Sequence, residues 1–236
     1  MKWVNKNFEE HEAGDLKAMI IAVHGMGSNK DGPVLTALAP ILKQNKIGLI
    51  SLDLPGHGTR VGEDISVEGC LGSIRDVEEY VRKIYKGRIV LKGSSFGGWL
   101  LLRYLRNNTR DYHKAILRVP AIRQYNKWKE RFPDHIEELE SGKSVYRDGR
   151  SGKIEIAPEL FREYTSEEFF DSLDKKDIKC DVKIIYGTED RIVNNQNIFK
   201  MAEEMGWDLY AIDGADHFFA RPCDIEAVAK IILDLC

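Results

Sequence analysis

The chain has 236 residues, of which 43% are hydrophobic and 31% charged, with a formal net charge of -3. That suits one α/β domain able to bury a sizeable core, or one domain with an insertion, and it lacks the basic footprint of a nucleic-acid binder. The opening residues have no apolar stretch of signal-peptide type and no apolar run approaches membrane-spanning length, so a soluble, cytoplasmic protein with no membrane partner is expected.

Cys70, Cys180, Cys223 and Cys236 stand far apart with no C-x-x-C pair, and the six histidines are scattered singly. Free thiols are expected, with neither a metal site nor a cofactor.

Residues 3–8 read as an edge strand, and Gly14-Asp15 as a turn before the apolar run Ala18–Val23, the pattern of a strand buried on both faces. That run ends in His24-Gly25-Met26-Gly27-Ser28, and Pro33 then opens a helical pattern through Leu35, Leu38 and Leu42. A glycine-flexible loop of this kind can point backbone N–H groups into the space above a sheet, where they suit an anion. The plainer alternative is an ordinary loop, and for His24 itself a structural role is preferred.

Ile47–Leu52 reads as the next strand, ending in Asp53-Leu54-Pro55-Gly56-His57-Gly58. The Pro and Gly punctuation marks a tight loop in which backbone bonds hold His57, again a structural role. Ser66 is an N-cap for an amphipathic helix through Val67, Leu71, Ile74, Val77, Val81 and Ile84.

Residues 88–92 form a strand that runs into Gly93-Ser94-Ser95-Phe96-Gly97, followed by a leucine-rich helix. In this G-x-S-x-G frame, small residues two before and two after Ser95 let strand and helix approach around a strained turn that pushes its hydroxyl out. Ser94 fits the frame poorly, since its corresponding neighbours are Lys92 and Phe96. Ser95 is therefore the nucleophile candidate, against a plain glycine-rich turn.

A further strand at 114–119 continues an alternation that predicts a mostly parallel central sheet flanked by helices. From 121 to 179 the pattern changes: charge density rises and aromatics are sprinkled through it, with Gly142, Gly149 and Gly152 suggesting an exposed hairpin or loop. We read 1–120 and 180–236 as the core and 121–179 as an inserted cap, with Trp128, Phe132 and Phe170 as pocket-wall candidates. Additional scaffold is the alternative. The rhythm resumes with a strand at 182–186, then Gly187-Thr188-Glu189-Asp190, a helix through Ile198, Met201 and Met205, a strand at 207–212, Gly214-Ala215-Asp216-His217 and a terminal helix.

Five of these stretches together resemble serine hydrolases of the α/β-hydrolase superfamily, of the esterase and thioesterase kind. They are His24-Gly25-x-Gly27, Asp53-x-Pro55-Gly56-His57-Gly58, the Gly93 to Gly97 elbow, Gly187-x-x-Asp190 and Gly214-x-Asp216-His217, in the family's order. One departure is the short N-terminus, with room for a single strand before the His24 strand.

The resemblance implies Ser95 as nucleophile, His217 as base and Asp190 as the acid orienting it, the order this fold uses. Glu189 and Asp216 are the rivals for that last place. It also implies an oxyanion hole from the backbone N–H groups of Met26 and Phe96. The implied reaction is cleavage of a small to medium carboxylic ester through an acyl-enzyme, with no cofactor. An acyl thioesterase is the near alternative, and a non-catalytic small-ligand binding protein of the same fold the more distant one. Acyl group, leaving group and oligomeric state stay open.

Overall fold

In the computed structural model, which describes residues 3–106 and 108–236, the apolar runs lie side by side as one sheet. The elements of the first half are β1 (Trp3–Asn5), β2 (Ala18–Val23), α1 (Pro33–Gln44), β3 (Ile47–Leu52), α2 (Val67–Ile84), β4 (Arg88–Ser94), α3 (Phe96–Arg106) and β5 (Lys114–Arg118).

Between β5 and the next strand of the large sheet come α4 (Tyr125–Arg131), α5 (Pro133–Glu140), the hairpin β6 (Val145–Gly149) and β7 (Gly152–Ile156), α6 (Pro158–Thr165) and α7 (Glu168–Asp171). The chain closes with β8 (Asp181–Gly187), α8 (Asn195–Met205), β9 (Asp208–Ile212) and α9 (Pro222–Leu235). Among the described residues no helix is long and apolar enough to cross a membrane.

The seven strands run in the order β1-β3-β2-β4-β5-β8-β9, all neighbours parallel except β1 against β3. Because side chains alternate across a strand, each strand supplies both faces of the sheet. Met19, Ile21 and Val23 of β2 join the core under α2, α3 and α8, whereas Ala18, Ile20 and Ala22 join the one under α1 and α9. Two-sided burial is why these strands read as continuous apolar runs.

The edge strand is shorter than its sequence pattern. Lys6 N–H still donates to Leu49 O at 2.7 Å, but at Asn7 the side chain takes over, accepting from Leu49 N–H at 2.8 Å and donating to Ile47 O at 2.9 Å. A buried side-chain amide thus ends the backbone ladder. At α2 the expected cap is present, with Ser66 Oγ accepting from Gly69 N–H at 3.1 Å.

Topology decides where chemistry can sit. The chain passes from β2 outward to β3 and then returns to β4 on the other side of β2, so the carboxyl ends of β2 and β4 flank a switch in winding direction, where open α/β sheets form their crevice. Following those ends are the His24 loop and Ser95.

Aromatic rings knit the segment between β5 and β8 together. Trp128 packs on Phe132, Phe161 and Tyr164, and Tyr164 lies edge-on to both Phe96 and Trp99 at 5.2 Å. It therefore rests on the first turn of α3. The β6–β7 turn passes through Gly152 at φ 130, a conformation that glycine adopts without steric cost.

Candidate active site

A single residue, Ser95, separates β4 from α3, and it holds φ 52 in the left-handed region. Strain of that kind costs on the order of 1–3 kcal/mol and persists only where surroundings fix it. Here they do. Ser95 N–H donates to Arg118 O at 2.9 Å, and Ser95 O accepts from Trp99 N–H and Ala121 N–H, both at 3.1 Å.

The flanking glycines are demanded by space: a Cβ on Gly93 would meet Gly97 O at 2.6 Å, and one on Gly97 would meet Val23 O at 2.4 Å. Ser95 is partly exposed, whereas Ser94 is buried, its Oγ accepting from Lys92 Nζ and Arg118 Nε, each at 3.2 Å.

His217 follows β9, and its Nδ1 lies 2.7 Å from Asp190 Oδ2 in the turn after β8. The Asp190 side chain is fully buried, and its Oδ1 accepts from Ile192 N–H at 2.7 Å and Val193 N–H at 3.0 Å. Burial alone would raise this carboxyl, but the hydrogen bond and charge of His217, with the two N–H donors, hold it below the ordinary range.

The rivals are occupied elsewhere. Asp216 Oδ1 accepts from Phe218 N–H and Phe219 N–H in its own turn, and Glu189 is exposed on the rim of an open depression beside Arg191, Ile192 and His217. Among the described residues, Ser95 Oγ and His217 Nε2 make no hydrogen bond with each other. Such contacts commonly close only when substrate arrives.

The loop after β2 crosses directly over the elbow, since a Cβ on Gly25 would lie 3.3 Å from Ser95 Cβ. Two neutral imidazoles hold it. His57 Nε2 accepts from Gly27 N–H at 3.0 Å while Nδ1 lies 2.8 Å from Pro55 O. His24 Nε2 accepts from Leu54 N–H at 3.1 Å, and Nδ1 lies 2.8 Å from Gly25 O. Each ring needs one accepting nitrogen, so protonation would break a bond. Burial, then the neighbouring His57, lowers His24 to about 3, and burial lowers His57 as well.

Asp53, fully buried, ties the same loop down by accepting from Lys30 N–H, Lys30 Nζ and Thr59 N–H. The N–H groups of Met26 and Phe96 have no partner among the described residues.

Sequence reasoning missed Arg118 and Lys92. Arg118 Nη1 donates to His217 O at 3.0 Å while its Nε reaches Ser94, so one guanidinium ties the elbow to the histidine loop. The available signal was a charged residue at the carboxyl end of the apolar stretch in each of two strands. Also missed was the hairpin tip: Arg150 N–H donates to Gly27 O at 2.6 Å and Asn29 Nδ2 to Ser151 Oγ at 2.9 Å, so the β6–β7 turn touches the loop over the elbow.

Of the pocket-wall candidates, Trp128 and Phe132 lie together in the aromatic cluster, and Phe170 is buried against Phe169 and the Arg123 guanidinium.

Similar architectures occur among solved structures. Monoglyceride lipase from Saccharomyces cerevisiae, as a soluble variant with a substrate analogue, is 13% identical with a TM-score of 0.78, covering 98% of this chain and 89% of that one. Monoacylglycerol lipase from Paleococcus ferrophilus is 18% identical with a TM-score of 0.73, covering 98% and 96%. Est1E from Butyrivibrio proteoclasticus, with ferulic acid bound, is 18% identical with a TM-score of 0.73, covering 98% and 94%. At these identities the likeness shows the fold, that of an α/β-hydrolase. No curated protein matches the sequence. The family profile described as Serine aminopeptidase, S33 matches residues 14–151, more than half of the chain. This protein therefore belongs to that family of α/β-fold serine hydrolases.

Proposed function

We propose that the protein hydrolyses a carboxylic ester of small to medium size through an acyl-enzyme on Ser95. The observation that carries this reading is the imidazole–carboxylate pair of His217 and Asp190, joined through Arg118 to the strained turn that presents Ser95.

A serine hydroxyl is a weak nucleophile until a base takes its proton. His217 Nε2 is the base, and Asp190 fixes the ring so that Nδ1 carries the proton and Nε2 is free to accept. As Ser95 Oγ adds to the substrate carbonyl, His217 becomes an imidazolium stabilised by the buried Asp190 carboxylate. Negative charge developing on the carbonyl oxygen meets the N–H groups of Met26 and Phe96. Each such donor contributes about 3 kcal/mol to the transition state. His217 then returns its proton to the leaving alcohol, and water repeats the sequence to release the acid.

Residues 121–179 form the cap in this reading, and the contacts of Tyr164 with α3 and of the hairpin tip with Gly27 support a position over the site. The ester preference draws on neighbours that are lipases and on Est1E, whose structure holds ferulic acid. The family's own description as an aminopeptidase favours a second reading, cleavage of an amino-acyl amide. A turnover panel of acyl esters, acyl thioesters and amino-acyl anilides, with Ser95→Ala as control, separates them. Ester turnover well above the other two supports the proposal, and anilide turnover above ester turnover replaces it.

A further inference from the structure

One basic side chain of the β6–β7 hairpin, Arg147, has no acidic partner among the described residues. Arg147 lies on β6 opposite Ile154 of β7 and shares a strand face with buried Val145. Its guanidinium is thereby turned into the protein, where it rests on aromatic faces, 4.0 Å from the Phe132 ring centre and 5.2 Å from that of Trp128. Among the described residues it has no ion pair and no hydrogen bond.

Two further groups converge on the same ring. Arg131, on the exposed surface, places its guanidinium 5.0 Å from the Phe132 centre, with no ion pair among the described residues. His135 stacks on Phe132 at 5.6 Å with 13° between the planes, and its buried Nδ1 has no partner. Burial, and then the charge of Arg131, hold Arg147 below the ordinary arginine range. Two guanidiniums, those of Arg147 and Arg131, thus meet at one ring, an arrangement of like charge that an anion stabilises.

The cluster is joined to the elements of the proposed site by packed rings and by the β6 strand. Trp128, under Arg147, meets Tyr164 at 6.2 Å, and Tyr164 lies against Phe96, the residue after Ser95. Two residues further along β6, a Cβ on Gly149 would lie 3.2 Å from Gly27 Cα in the loop over the elbow. Arg147 thus belongs to the stretch of the insertion that spans from the nucleophile helix to that loop.

We propose that Arg147, with Arg131 and His135 around Phe132, receives a carboxylate carried by the substrate, so that hemiesters of dicarboxylic acids are preferred over neutral esters. A carboxylate suits the site better than a phosphate for two reasons. The planar guanidinium meets it through paired N–H donors, and a single charge is desolvated beside Phe132 and Ile154 at lower cost than a double one. The inference rests on the acyl-transfer reading for the bond that is cut, but the binding it asserts does not require turnover.

Calorimetric titration of the Ser95→Ala protein with monomethyl glutarate and with dimethyl glutarate tests it. The monoanion should bind at least about tenfold more tightly, the effect of one charge-assisted bidentate contact. Arg147→Gln should abolish that preference while dimethyl glutarate binds as before. Arg147→Lys, which keeps the charge and the aliphatic stem, should weaken it in part, and it serves if Arg147→Gln does not fold. Equal binding of the two esters overturns the proposal, as does a preference unchanged in both variants or tighter binding of the acetyl ester of glycerol phosphate. Turnover of para-nitrophenyl hemiesters by the wild-type protein is read separately: binding without turnover strikes the acyl-transfer reading and leaves the carboxylate site standing.

Discussion

Lys92 is a buried charge in the strand that leads to Ser95, and its removal has a calculable effect. Its side chain is 2% exposed, its Nζ donates to Ser94 Oγ, and the second donor to that hydroxyl is the Arg118 guanidinium. Burial first, and then the charge of Arg118, lower its pKa from 10.5 to about 7. Below pH 7 both folded and unfolded chains carry the proton and the penalty is complete. Above it the folded chain releases the proton while the unfolded chain keeps it until about pH 10.5, so stability rises with pH across that window.

Between pH 7 and 8.5 this amounts to on the order of 1 to 2 kcal/mol, from ~1.4 kcal/mol per pH unit with half of the folded protons already released at the start. The window should stop short of pH 9, because the Cys180 and Cys236 thiols, raised to about 11 by burial, lower stability once the unfolded chain ionises there. Urea unfolding at pH 7, 7.75 and 8.5, roughly even steps inside that window, measures the slope. Lys92→Met should be more stable than wild type at pH 7, and the difference between the two should narrow as pH rises. A difference independent of pH refutes a strongly depressed Lys92.

Asp190→Asn should lower kcat/KM by up to about ten-thousandfold with the fold intact, because an amide opposite Nδ1 favours the wrong imidazole tautomer. Asp216→Asn should cost far less, and steady-state kinetics of the two variants showing the reverse order would mean that the orienting acid is misassigned. Within the proposed cap, alanine at Trp128, Phe132 or Phe170 should alter relative turnover across the ester panel by roughly 1 to 3 kcal/mol per lost contact. Unchanged ratios with lowered melting temperatures would make these rings scaffold.

How much of this was legible in the sequence follows from which interactions are local. Strand runs, the Ser66 cap and the glycine frame of the elbow are set by neighbours a few residues away, so the fold class could be read and agrees with the α/β-hydrolase neighbours. The bond between His217 and Asp190 spans 27 residues, and the link from Arg118 to His217 spans 99. The first was expected only through resemblance to a family. The second, and the hold of Arg150 on Gly27, left no local pattern beyond a charge in an apolar strand and a pair of glycines. The shortened edge strand was missed for a similar reason: Asn7 looks like any polar residue until its amide is seen bonded to Ile47 and Leu49.

The central claim is that Ser95 is the nucleophile, and peptide-level mass spectrometry after reaction with a small fluorophosphonate tests it most directly. Wild-type protein and Ser94→Ala should each carry one adduct, located on Ser95, and Ser95→Ala should carry none and turn over no ester. An adduct that persists in Ser95→Ala, or that maps to Ser94 in the wild-type protein, would contradict the account.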